Sequence, residues 1–173
     1  MWITQTYLGA IEPEAKLFVY YFFEDYAPKQ KEFTEQVQIE LERLGEAFGN
    51  KVSLFMPNSK YAGRIEAEVR ENRQLWESLH GNFPGLFISK MPLAQIKPTD
   101  DECIYIPFET QHPDKAAEVI QRVRRIANET LHWDHINNSS SSKKSFDDTF
   151  FDALELKPGI FGFRIDLKKL ARR

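Results

Sequence analysis

Polar and apolar positions along the chain follow two different periods. Four short stretches, Lys16–Phe23, Val52–Met56, Gly85–Ser89 and Cys103–Phe108, are almost uninterrupted apolar runs, as strands covered on both faces require. Between them the spacing changes to three or four. Phe33, Val37, Leu41, Leu44 and Phe48 form one helical stripe, with Gly45 and Gly49 near its end. A second helix is predicted over Ala62–His80, striped by Ile65, Val69, Trp76 and Leu79 and interrupted at Asn72. Gly81-Asn82-Phe83-Pro84 ends it and leads into the third strand. Pro113 opens a third helix to about Leu131, with Ala116, Ile120, Val123 and Ala127 inward.

The resulting order is β-α-β-α-β-β-α. Lys90–Glu102 contains Pro92 and Pro98 and is too short for a helical crossover, so the third and fourth strands are expected to pair antiparallel. A mixed four-stranded sheet with helices on both faces follows, with Trp2–Ile11 a candidate extra edge strand. This α/β domain is assigned to residues 1–136. Residues 137–144, rich in Asn and Ser, read as a flexible linker.

Residues 145–173 read as a helix-strand appendage with a basic tail. Ser145 is a good N-cap, Asp147 and Asp148 suit a first turn, and Phe150, Phe151 and Leu154 would form a short helix. Phe161, Phe163, Ile165 and Leu167 then alternate with Gly162, Arg164, Asp166 and Lys168, the pattern of a half-buried strand. Such a strand needs a sheet edge. Its own domain is the first expectation, and a protein partner or a second copy of the chain is the other.

With 173 residues, 42% of them hydrophobic, the chain has the material for a core that buries roughly 70% of the unfolded surface. No apolar run reaches membrane-spanning length, and the N-terminal stretch lacks a basic-then-apolar leader pattern, so a cytoplasmic location is expected. The net charge of −3 gives no electrostatic bias toward nucleic acid. A single cysteine, Cys103, excludes an intrachain disulfide, and its place within a strand favours a buried structural thiol.

The remaining chemistry-bearing groups are better explained structurally. His132-Trp133-Asp134-His135 carries metal-ligand types but reads as a helix-ending turn beside the Asn/Ser tract. Glu66 with Arg70, and Arg122 with Arg124 and Arg125, read as solvated helix faces. No glycine-rich phosphate loop and no nucleophile-base spacing occurs, so no catalytic residue, cofactor or metal is assigned.

Over roughly Lys16 to Leu131 the element order resembles the thioredoxin-like superfamily. Phe22-Phe23-Glu24-Asp25-Tyr26-Ala27-Pro28-Lys29 is similar to that family's strand-to-active-site segment, with Pro28 in the place of the Cys-Gly-Pro-Cys proline. Pro84 resembles the cis-proline that faces this segment. Tyr26 and Lys29 stand where the family has its two cysteines. Thiol–disulfide exchange needs a thiolate and is therefore excluded.

Within the superfamily the resemblance is nearer to cysteine-free adaptors such as the KaiB family. It implies a binding surface around Tyr26, Pro28, Lys29 and Pro84; the alternating tail strand, with Phe161, Phe163 and Ile165, is a second candidate on its own pattern. The stretches "KLFVYYFFED", "VSLFM", "GRIEAEVREN" and "GLFISKMPL" also look like a TIR-type signalling or nucleotide-handling domain. The NAD-cleaving members of that family carry a glutamate on a helix after the third strand. Here Asp100, Asp101 and Glu102 fall in a predicted loop, so that alternative is read as catalytically degenerate.

Overall fold

The structure is a computed structural model, and it describes residues 3–4, 13–23, 28–57, 62–96, 103–108, 112–137 and 163–164. Among the described residues six strands form one mixed sheet: β1 (Ile3–Thr4), β2 (Leu17–Phe22), β3 (Val52–Phe55), β4 (Gly85–Ser89), β5 (Cys103–Pro107) and β6 (Phe163–Arg164). Their spatial order is β1-β3-β2-β4-β5-β6. The β1–β3 and β3–β2 pairs are parallel; β2–β4, β4–β5 and β5–β6 are antiparallel. The expected four strands are thus present, and each outer edge carries a further two-residue strand.

Strand alternation divides the core into two layers of different composition. Leu17, Val19, Val52, Leu54, Leu86, Ile88, Ile104 and Ile106 point to one face, joined by Tyr21. Helix α1 (Pro28–Phe48) covers that face with Phe33, Val37, Leu41 and Leu44. Helix α4 (Pro113–Asn137) adds Ala116, Val119, Ile120, Val123, Ile126 and Ala127. The other face presents mostly aromatic rings: Phe18, Tyr20, Phe22, Phe55, Phe87 and Tyr105. It is covered by α2 (Ala62–Glu71), α3 (Arg73–Leu79) and a short 3₁₀ turn at Leu93–Gln95. Each buried Leu, Ile or Phe contributes roughly 1.5–3 kcal/mol of hydrophobic stabilisation, so both layers are needed to offset chain entropy.

Several boundaries differ from expectation for identifiable reasons. The predicted helix Ala62–His80 is two helices, because the Asn72 side chain accepts a hydrogen bond from the Leu75 amide at 3.1 Å and caps α3. Leu75 thereby becomes a buried core residue, while Trp76 is only half-buried. The third helix runs to Asn137, well past Leu131, so His132–His135 continue α4 where a terminating turn was expected. Asn137, assigned to the linker, is the last residue of that helix. Gly45 lies inside α1, whereas Gly49 follows its end with φ of 60°. Cys103 is buried, as expected.

Of the predicted tail strand, Phe163 and Arg164 pair with Tyr105 and Ile104 on β5. Residues 138–162, which include the rest of the linker and the predicted helix, lie outside the described residues, as do Phe161, Ile165 and the basic tail. Among the described residues no helix is long and apolar enough to cross a membrane.

Candidate functional site

The sequence points to the junction where β2 gives way to α1. Strand β2 ends at Phe22, one residue before the apolar run gives way to Glu24 and Asp25, and α1 begins at Pro28, whose fixed φ and missing amide proton suit a first helical position. The turn carrying Pro84 arrives beside this junction. Phe22 registers with Gly85, so the next residues outward are Phe23 on one strand and Pro84 on the other. Directly opposed residues of an antiparallel pair stand roughly 4.5–5.5 Å apart.

The turn is held from several sides. Gly81 adopts φ of 82°, which favours glycine, and the Asn82 amide donates to the Leu79 carbonyl at 3.0 Å. The Tyr105 hydroxyl donates to the Asn82 carbonyl at 3.0 Å, and the Phe108 amide donates to the Pro84 carbonyl at 2.8 Å. The Phe83–Pro84 peptide bond is cis. At Gly85 a Cβ would overlap the Tyr105 hydroxyl and ring, so only glycine fits beneath that side chain.

Aromatic rings surround the turn. Phe83 is half-buried and meets Phe22 at 6.3 Å, Tyr105 at 6.5 Å in a perpendicular arrangement, and Trp76 at 6.0 Å. Trp76 continues the row to His80 at 5.2 Å and carries the Arg70 guanidinium over its face at 4.5 Å. On the α1 side Phe23 stacks on Tyr21 at 5.0 Å, and Phe108 packs edge-on against Phe33 at 5.1 Å.

The predicted site residues occupy these positions unequally. Pro84 lies at the turn beside the end of β2 and is buried, so the exposed part of the turn is Gly81 and Asn82, with Phe83 half-buried. Pro28 and Lys29 occupy the first turn of α1, which contains no acidic residue. Tyr26 lies outside the described residues, as do the side chains of Pro28, Lys29 and Phe163. Phe83, Trp76, Tyr105 and Phe108 were not singled out beforehand. Trp76 was visible only as part of a stripe, and the other three depend on strand register.

Two buried phenols lie on the strand that leads to the junction. Burial pushes the Tyr20 and Tyr21 phenols up, outweighing the hydrogen bonds to the Leu93 amide and to Thr34 that act in the opposite direction. Both hydroxyls therefore stay protonated at neutral pH. Among the described residues no group of three or more acidic, histidine or cysteine side chains is arranged to hold a metal ion. The chain matches no family model, no curated protein and no solved structure.

Proposed function

We propose that the chain is a thioredoxin-like interaction module that binds a protein partner at the β2–α1 junction, without catalysing thiol chemistry. The observation that carries this reading is the register of Phe22 with Gly85, one residue from Pro84, at a junction whose sequence holds Tyr26 and Lys29 where a redox protein needs thiols. The sheet order supports the fold assignment: β2 and β3 parallel, β4 and β5 antiparallel, helices on both faces and a proline leading into β4.

Recognition also suits the local chemistry. Half-buried Phe23, Phe83 and Trp76 offer apolar contact area at little cost in side-chain entropy. Lys29 and Lys31, in the first turns of α1, add to the positive end of the helix dipole, where acids would be more stabilising. An acidic or carbonyl-rich partner segment fits that end. The tail strand is a second candidate surface, and Phe163–Arg164 of it lie along the edge of β5.

The test is affinity capture from the native host with wild-type protein and a Tyr26→Ala/Lys29→Ala variant. Loss of specific partners from the variant, with the fold unchanged by circular dichroism, is the expected result. Identical partner sets would remove the junction from consideration.

A further inference from the structure

Strand β5 has the composition of an interior strand. Cys103, Ile104, Tyr105 and Ile106 are each at most 1% exposed, and no charged residue interrupts the run. Natural edge strands carry charges or bulges that discourage further pairing. A strand covered on both faces has only its outer backbone groups left to satisfy, and these need a strand alongside. Among the described residues, β6 supplies partners for two of the five β5 positions, Tyr105 and Ile104.

That pair sets a register for its neighbours. With Tyr105 opposite Phe163 in an antiparallel ladder, Cys103 falls opposite position 165, Ile106 opposite 162 and Pro107 opposite 161. Directly opposed positions share a face of the sheet. Cys103 and Tyr105 belong to the aromatic layer, Ile104 and Ile106 to the aliphatic one. Positions 161, 163 and 165 therefore share the aromatic side, and these are the apolar members of Phe161-Gly162-Phe163-Arg164-Ile165. A slip by one residue would bring Gly162, Arg164 and Asp166 to that side instead.

We propose that the β5 edge is a strand-acceptor site closed in cis by the chain's own Phe161–Ile165, which act as an intramolecular ligand. Residues 138–162 connect α4 to β6. A tethered segment is presented at an effective concentration on the order of 1 mM, far above that of a second copy in dilute solution. The chain's own tail therefore wins over a neighbour's. A partner strand with apolar residues at alternate positions gains this edge only by displacing the resident one. This inference is independent of the function proposed for the β2–α1 junction.

The native Cys103 makes the register testable in the full chain. Opposed Cα atoms stand roughly 4.5–5.5 Å apart, within the span of a disulfide. Under mild oxidation Ile165→Cys should close a disulfide with Cys103 inside one chain, read as a monomer by non-reducing electrophoresis and mass spectrometry. Arg164→Cys, one register position away, should close about tenfold more slowly. The acceptor is read separately with a fluorescent peptide of residues 159–169. It should bind the Phe163→Asp/Ile165→Asp chain about tenfold tighter than wild type, at unchanged circular dichroism, because the resident strand no longer competes. Disulfide-linked dimers, equal closure from both cysteine variants, or a peptide that binds neither chain or both equally would overturn the proposal.

Discussion

The two faces of the sheet solve the same burial problem with different residues. Toward α1 and α4 the strands present almost only Leu, Val and Ile, which pack in well-defined rotamers and carry no polar atoms. Toward α2 and α3 they present Phe and Tyr. Two hydroxyls on that side reach out of the core to hold irregular backbone: Tyr20 accepts from the Leu93 amide, and Tyr105 donates to the Asn82 carbonyl. The aliphatic face therefore fixes two long helices. The aromatic face fixes a loop and a turn, where a half-open cavity lined by Val69, Leu75, Leu93 and Ile96 and the Phe83–Pro84 turn lie. A tyrosine can do both jobs because its ring fills volume while its hydroxyl satisfies a buried backbone group.

The largest expected effect separates the faces directly. Leu41→Ala, in the closed layer under α1, should cost about 3–5 kcal/mol in urea unfolding, since its surroundings have little room to collapse. Leu75→Ala opens onto an existing cavity and should cost about 2 kcal/mol. A larger loss at Leu75 than at Leu41 would break the distinction.

Next comes Gly85→Ala. The added methyl must displace the fully buried Tyr105 ring, at about 1–3 kcal/mol. Changes in amide shifts should concentrate at Asn82–Pro84 and leave α1 and α4 unmoved. Shifts spread evenly over both faces would contradict the idea that Tyr105 governs the turn.

Asn72→Ala should cost about 1 kcal/mol through loss of the α3 cap. Faster hydrogen exchange confined to the first turn of α3 is its signature.

The smallest effect concerns Glu129 on α4. Burial raises its carboxyl pKa, partly countered by the Arg125 charge, and its Oε2 is buried without a hydrogen-bond partner among the described residues. A carboxyl whose folded pKa is raised weakens the protein where it is ionised, above the folded pKa. That penalty disappears as pH falls below the unfolded value. Glu129→Gln should therefore raise the melting temperature slightly at pH 7 and leave it unchanged near pH 3. The opposite dependence on pH would place this side chain in a favourable ionic environment.

Much of this architecture is legible in the residues themselves. "LFVYYF" and "GLFIS" have the length and composition of covered strands, and both occur within a residue of the expected bounds. The α1 stripe is regular enough to identify four of its buried residues. Asn72 misleads because the positions around it keep helical spacing, and only the capping hydrogen bond to Leu75 distinguishes a break from a tolerated polar residue. The 3₁₀ turn at Leu93 has no periodic signal at all. Its burial depends on Tyr20, 73 residues earlier in the chain. At the junction, Pro84 is visible as a proline opening a strand, whereas Phe83 and Tyr105 join it only through the β4–β5 register, which pairs Phe87 with Tyr105 and Gly85 with Pro107.

The central claim is that recognition occurs at the β2–α1 junction. Site-specific photocrosslinking in cells, with the reactive side chain placed in turn at Tyr26, at Lys29 and at Glu46 near the far end of α1, tests it most directly. Crosslinks to one discrete partner from Tyr26 and Lys29, and none from Glu46, are the predicted result. A partner captured from Glu46 while Tyr26 and Lys29 stay silent would contradict the claim.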